Sequence, residues 1–258
     1  MVIWDHRSGG LREAGPLVAW RLRMPRPSPT RYFKTSPEII RLAVMLYIRF
    51  PLSLRNIEDL LHERGIEISH ETVRYWWNRF GPMFAADIRR KWVERMRPTR
   101  QWRWHLDEVC VKISGITHFL WRAVDHEGGV LESVVTKTRD RKAALKFLKK
   151  SMRRHGRPEA IVTDRLRSCG AALEEPGRGD DREMGRWRNN RAENSSLPFR
   201  RRERAKLRFR RVRTLQKFAS IHASVHNLFP TERHLQNRDQ YKLCRAAALA
   251  EWRGLLVA

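Results

Sequence analysis

The stretch RWHLDEVCVKISGITHFLWRAVDHEGGVLESVVT, residues 103–136, decides the fold. Three runs rich in β-branched and aromatic residues are separated by Gly-containing turns at 114–115 and 127–129, a pattern typical of an antiparallel meander. A helical pattern at 141–155 and the short apolar run AIVTD, residues 160–164, come next. Three hairpin strands, a helix, another strand and further helices predict an α+β domain in which helices flank a mixed sheet.

The charge of the chain indicates a polyanionic partner. Its 258 residues include 54 Lys and Arg against 28 Asp and Glu, a formal net charge of +26. Hydrophobic residues make up 41%, which is enough for a core, so the chain is not merely a basic tail. We find no apolar run near the length of a membrane span and no basic amphipathic helix with an aromatic face. Nucleic acid is therefore the first candidate, ahead of an anionic membrane surface, and structural binding of a ribosomal type stays open.

Cysteines and the N-terminus indicate a reduced, cytoplasmic protein. The three cysteines form no CxxC pair, so neither a zinc site nor a disulfide framework is indicated. The first ten residues, MVIWDHRSGG, lack the apolar region of a signal peptide, so we expect no secretion. Residues 1–35 have no sustained period and are predicted to form a basic disordered arm or linker.

Residues 36–82 carry the pattern of three helices. The first is predicted to follow an N-cap at Ser36, the second to lie between residues 53 and 65, and the third between residues 69 and 80, before a Gly-Pro pair ends it. The positions expected to face inward in the first helix are Ile39, Leu42, Ala43, Leu46 and Phe50. A basic helical connector at 83–100 then leads to the sheet.

The second and third of these helices satisfy the requirements of a helix-turn-helix. The outward residues of the third, which we predict to contact DNA, are His70, Arg74, Tyr75 and Asn78. Arg and Asn can read base edges in the major groove. An ordinary three-helix bundle has the same periodicity, and only the net charge favours DNA binding over it.

Acidic residues stand where burial is costly unless something cationic pairs with them. Asp107 interrupts the apolar run of the first strand, and Asp164 ends the run AIVTD. Each alone has an ordinary structural interpretation, as an ion pair or a helix cap. With a helical Glu193 they would present three oxygen groups to divalent metal, and Mg²⁺ prefers oxygen ligands. Glu193 lies in residues 186–213, where twelve basic side chains that could neutralise DNA phosphates oppose two acids.

Four motifs resemble the DDE transposases of bacterial insertion sequences, specifically the IS six family. They are WHLDEVCVKISG, FLWRAVD, AIVTDRLRSCGAAL and NNRAENSSLPFRRRERAKLRFR, within a resemblance that covers about residues 30–255. It implies an RNase H-like catalytic domain at 101–230, behind the helix-turn-helix, and a C-terminal helical tail at 231–258. It also implies Asp107, Asp164 and Glu193 as the catalytic and metal-binding triad.

The resemblance implies cofactors and partners as well. The cofactor is Mg²⁺, for which Mn²⁺ can substitute, and the outcome is replicative, cointegrate-forming transposition. The expected partners are double-stranded DNA, namely the terminal inverted repeats and the target, and further copies of the chain assembled on DNA. No membrane partner is expected, and the implied location is the bacterial cytoplasm, in association with the nucleoid.

Members of the family usually place a basic residue seven positions after the glutamate, which here is Arg200. It is predicted to contact DNA, and so are Arg201, Arg202 and Arg204. Pro198 predicts a kink if the helix already includes Glu193.

The sequence departs from the family pattern at several positions. Ser196 stands where histidine is expected, and Cys110 and Cys169 where tyrosine is expected. Only 28 residues separate Asp164 from Glu193, which leaves no room for an insertion domain. The first 23 residues match nothing in the family, whereas the chain from Met24 resembles a family N-terminus, so the start of translation stays open.

Weaker candidates have ordinary interpretations. Glu108 is expected to point to the opposite sheet face from its neighbour Asp107. His222 and His226 lie in an amphipathic run without the glutamate of HExxH, so core or surface histidines are the preferred interpretation. Two other functions stay open: a non-catalytic helix-turn-helix DNA-binding protein from a decayed element, and a structure-selective nuclease with the same triad.

Overall fold

The computed structural model describes residues 29–30, 32–96, 103–163, 182–184, 190–206, 209–229 and 237–256. Its helices are α1 Pro37–Arg49, α2 Leu54–His62, α3 His70–Met96, α4 Arg141–His155, α5 Asn190–Ala205, α6 Val212–Leu228 and α7 Arg238–Arg253. Its strands are β1 Arg103–Ile113, β2 Ile116–Asp125, β3 Val130–Thr136, β4 Ala160–Thr163 and β5 Arg182–Met184. The predicted α+β fold, with helices flanking a mixed five-stranded sheet, is confirmed. None of the described helices is both long and apolar enough to cross a membrane.

The sheet has the strand order β3-β2-β1-β4-β5, with β1 at its centre. The predicted meander pairs β1, β2 and β3 antiparallel, whereas β4 runs parallel to β1 and β5 runs parallel to β4. The local sequence pattern predicted no strand at the position of β5. Its three residues are held by hydrogen bonds to β4, and their own periodicity does not predict this pairing.

Alternate residues of β1 face two different cores, because successive side chains of a strand point to opposite sheet faces. Trp104 and Leu106 pack with α4 on one face. Val109 and Val111 belong to a larger core on the other face, which α5, α6 and the N-terminal helices also enter. Asp107 has the same parity as the second set, so its side chain is on the face of α5.

The predicted α4 is confirmed at both ends. Asp140 caps it by accepting a hydrogen bond from the Ala143 amide, and Gly156 follows with φ 83°. The predicted apolar face of α1 is displaced: its fully buried hydrophobic residues are Ile40, Ala43, Val44, Tyr47 and Ile48, and of the predicted set only Ala43 is among them. The displacement follows from contacts on two sides, since α1 packs against α3, α6 and α7 as well as α2.

The third helix does not end near Phe80, and that prediction was wrong. It continues through Gly81 and Pro82 to Met96. Pro82 lacks the amide that would bond the Asn78 carbonyl, and the Lys217 ammonium donates to that oxygen instead at 3.0 Å. A Cβ on Gly81 would lie 2.9 Å from the Trp77 ring, so glycine permits the close packing there. The hydrophobic core is continuous across residues 82–83, and the predicted domain boundaries remain predictions.

Candidate functional site

Asp107 lies on the central strand, half-buried, and is bonded to a helix from the far end of the chain. The Ser196 hydroxyl of α5 donates to its Oδ2 at 2.6 Å, a short, charge-assisted bond. Burial raises the pKa of Asp107 above its ordinary value, and the Ser196 hydroxyl and the charge of Arg122 oppose that rise. A carboxylate so placed can act as an oxygen ligand, because the groups that contact it favour its ionised form.

Glu193 lies in the first turn of α5, and its side chain is exposed. Ser196 follows it by three residues, so the two share one face of the helix, the face turned toward β1. Although arginines surround it in the sequence, the Glu193 carboxylate makes no hydrogen bond or ion pair with any other described residue.

Arg122 joins the same two elements from β2. It lies directly opposite Asp107 in the antiparallel ladder and is 2% exposed. Its Nη1 donates to the Ser195 carbonyl at 2.9 Å and its Nη2 to the Ser195 hydroxyl at 3.0 Å. Burial lowers the pKa of Arg122 to about 10, and the nearby Asp107 opposes that shift, so the guanidinium is charged at neutral pH.

Asp164 lies outside the described residues, and its placement stays a prediction. The residue before it, Thr163, ends β4 and is paired with Leu106 of β1. In the sequence, Asp107 directly follows Leu106 and Asp164 directly follows Thr163. Among the residues that the structure does describe, which exclude Asp164, no three or more His, Cys, Asp or Glu side chains form a group that could hold a metal ion.

Glu108 is on the opposite face, as predicted. Its carboxylate is paired with the Arg139 side chain, close to the start of α4. Of the two histidines of α6, for which core or surface positions were the preferred interpretation, His222 is buried and His226 is partly exposed. His222 is 5% exposed, and its ring stacks on that of His226 with centroids 6.1 Å apart.

A family model matches the part of the chain that includes Asp107, Asp164 and Glu193. The family model DDE_Tnp_IS240, described as a DDE domain, matches residues 101–232, about half of the chain. This chain belongs to the IS six family of DDE transposases. The transposase of the insertion sequence-like element IS431mec from Staphylococcus aureus is 32% identical over 143 residues. The transposase of IS257 in transposon Tn4003, also from Staphylococcus aureus, matches to the same extent. Each match covers 55% of this chain, which spans 62% of the length of the relative.

Solved structures give weaker likenesses to this DDE chain. The catalytic core of HTLV-2 integrase in complex with magnesium is 13% identical, with a TM-score of 0.37, and the match covers 54% of this chain and 91% of that one. The catalytic domain of Mos1 mariner transposase is 12% identical, with a TM-score of 0.33, and covers 68% and 95%. Likenesses of this degree carry no functional information.

The predicted recognition helix of this DDE family member presents most of its expected residues to solvent. Arg74, Tyr75 and Asn78 are exposed on α3, and Tyr75 is 50% exposed. His70 is half-buried, because its Nδ1 lies 2.8 Å from a carboxylate oxygen of Glu58 on α2. His70 therefore helps to hold the two helices together, whatever else it contacts.

The basic residues that follow Glu193 differ in their exposure. Arg201 and Arg204 are exposed on α5, where phosphates can reach them. Arg200 is partly exposed, and its Nη1 donates to the Cys110 carbonyl of β1 at 2.6 Å. Arg202 is 1% exposed and donates to the Tyr47 carbonyl at 2.6 Å. Arg202 was predicted to contact DNA, but in this structure it lies under α1, while Arg201 and Arg204 face out.

Sequence reasoning missed Arg122 and Ser195 in this DDE chain. The available signal was an arginine inside the apolar strand FLWRAVD, since a buried cation requires a partner. Identifying that partner requires the tertiary structure, because Ser195 is 73 residues away.

Proposed function

We propose that this chain is a metal-dependent transposase that cleaves and joins DNA at the ends of an insertion sequence. Asp107, Asp164 and Glu193 are its catalytic and metal-binding residues, with Mg²⁺ as the cofactor and Mn²⁺ as a substitute. Its partners are the terminal inverted repeats, target DNA and further copies of the chain. It works in the bacterial cytoplasm at the nucleoid, by replicative, cointegrate-forming transposition.

The observation that carries the proposal is the bond between the Ser196 hydroxyl and Asp107 Oδ2. It brings the first turn of α5, which bears Glu193, against the central strand that bears Asp107. Residue 164 follows β4 in the sequence, and β4 lies next to β1, the strand that bears Asp107.

The two described acids fit a hard divalent cation. Both supply carboxylate oxygens, which such cations prefer as ligands. Asp107 is held in one orientation by Ser196, and Glu193 has no partner among the described residues. The chemistry that two divalent ions supply in such a site is activation of the attacking oxygen and stabilisation of the leaving oxygen of a phosphodiester.

The reaction has two displacements at phosphorus. Water first attacks the phosphodiester at the element end, which leaves a 3′-hydroxyl on the element and a 5′-phosphate on the flanking strand. That 3′-hydroxyl then attacks a target phosphodiester, forms the new bond and releases a target 3′-hydroxyl. The exposed Arg201 and Arg204 neutralise phosphates and hold the DNA beside the acids.

Strand-transfer and gel-shift assays test the assignment. Sequencing the DNA that flanks the gene identifies the inverted repeats, from which element-end oligonucleotides are made. Asp107→Asn, Asp164→Asn and Glu193→Gln are each expected to lose Mg²⁺-dependent cleavage and joining by several orders of magnitude. Binding of the element end through residues 36–82 should be nearly unchanged, because these acids are not placed to contact it.

Glu108→Gln is the matched control, since Gln keeps the shape and an oxygen for Arg139 while facing away from Asp107. Its joining activity should largely survive. Retained joining in any triad variant, or lost joining in the control, contradicts the assignment. If the unaltered protein binds the repeats specifically and never cuts them in Mg²⁺ or Mn²⁺, the chain is a non-catalytic binder; if it cuts and never joins, it is a nuclease.

A further inference from the structure

We infer that Arg122 is a positioning residue that holds the helix of Glu193 against the strand of Asp107. The inference rests on the proposed function for its consequence, since it matters for catalysis only if those acids bind metal. Its structural basis is independent: one buried guanidinium donates two hydrogen bonds to Ser195, at 2.9 and 3.0 Å, while lying across the ladder from Asp107.

The site of attachment on α5 is a weak point of the helix. Pro198 lies inside α5 and lacks the amide that would bond the Asn194 carbonyl, and its ring crowds that carbonyl. Helices kink at such positions, where neighbouring carbonyls turn outward and need other donors. The carbonyl that Arg122 contacts is that of Ser195, three residues before Pro198 and two after Glu193.

The hydrogen bonds of Ser195 and Ser196 belong to one network. Ser196 donates to Asp107, the adjacent Ser195 accepts from Arg122, and Arg122 and Asp107 influence each other electrostatically. Two of the four members, Asp107 and Arg122, are on neighbouring strands with a fixed register, so α5 can move only if these bonds break together. The direction of Glu193, one turn before Ser196, is therefore set by Arg122.

Arg202, which lies on α5 itself, provides a matched comparison for Arg122 of β2. Both arginines are fully buried, both have a pKa lowered to about 10 by burial, and both donate to a backbone carbonyl. Arg202, however, contacts Tyr47 of α1 and has no bond to either strand of the site. Loss of either side chain should cost stability, but only loss of Arg122 should disturb the acids.

The test measures metal binding without DNA, by Mn²⁺ electron paramagnetic resonance on the full chain. Arg122→Met is expected to weaken Mn²⁺ binding by about 10- to 100-fold, the usual effect of losing a residue that orients metal ligands. Arg122→Lys should recover part of it, because lysine keeps the charge but cannot form the two parallel bonds. Arg202→Met should leave Mn²⁺ affinity unchanged. An unchanged affinity in Arg122→Met, or an equal loss in Arg202→Met, overturns the inference.

Hydrogen exchange separates this inference from the proposed function. In Arg122→Met, amides of residues 190–197 should exchange faster relative to those of β1, whether or not metal binds. If native protein and Asp107→Asn bind Mn²⁺ equally, the metal assignment fails, and the exchange result alone decides the role of Arg122. If Arg122→Met does not fold, Ser195→Ala replaces it, since it removes only the hydroxyl. Unchanged exchange and affinity in that variant contradict the inference.

Discussion

Lowering the pH should destabilise the contact between α6 and α5, the helix that bears Glu193. The rings of His222 and His226 stack inside α6, and the ring of His222 lies edge-on to that of Phe199 of α5, with centroids 5.8 Å apart. Burial lowers the pKa of His226 to about 4, and Arg122 and Arg49 add to that shift. Burial and the neighbouring His226 lower the pKa of His222 as well.

The sign follows from proton binding. In the unfolded chain these rings bind protons near the ordinary histidine pKa, whereas in the folded chain they do so only at far lower pH. Their contribution to the free energy of unfolding is therefore fully present above about pH 6.5 and is lost as the pH falls toward 4. With those two pKa values, His226 alone contributes a loss of about 2 kcal/mol between pH 7 and pH 5. The raised pKa values of Asp107 and Asp125 act in the opposite direction and offset part of the total.

A variant isolates the contribution of one ring. We expect His226→Gln, which does not titrate, to lose about 2 kcal/mol less stability than the native chain between pH 7 and pH 5. The measurement is the free energy of unfolding from urea titrations at both pH values, with His62→Gln as an exposed control. Equal losses in His226→Gln and the native chain would refute the reasoning, and so would a native chain that gains stability on acidification.

The other predictions concern DNA binding and the N-terminus. Arg74→Ala should relax sequence preference, whereas Arg201→Ala should weaken binding to all DNA and reduce the salt dependence of binding by about one unit of slope. The measurement is a gel-shift series with specific and random DNA over a range of salt concentrations. Equal effects of both changes would contradict the assignment of Arg74 to bases and Arg201 to phosphates. A chain that begins at Met24 should fold and bind DNA like the full chain, because residues 1–23 have no periodicity; a large fall in its thermal midpoint would count against this.

Local patterns were sufficient wherever an element depends on its own residues. The meander followed from alternation and turn glycines, and α4 followed from its helical pattern, each of which acts within a few positions of chain. Asp107 was conspicuous because a carboxylate inside an apolar strand demands an explanation. The family followed from motifs of the same local kind, and the structure and the family model agree with it.

Contacts between distant residues decided the rest, since periodicity records which face is apolar and not what covers it. Where the third helix passes Pro82, Lys217, 139 residues along the chain from Asn78, bonds the carbonyl that proline leaves open. Arg202 is buried because α1 lies over it, although Arg201 and Arg204 of the same helix are exposed. Asp107 and the helix of Glu193 meet through Ser196, 89 residues away, a bond whose cost in chain entropy only the packed core can offset.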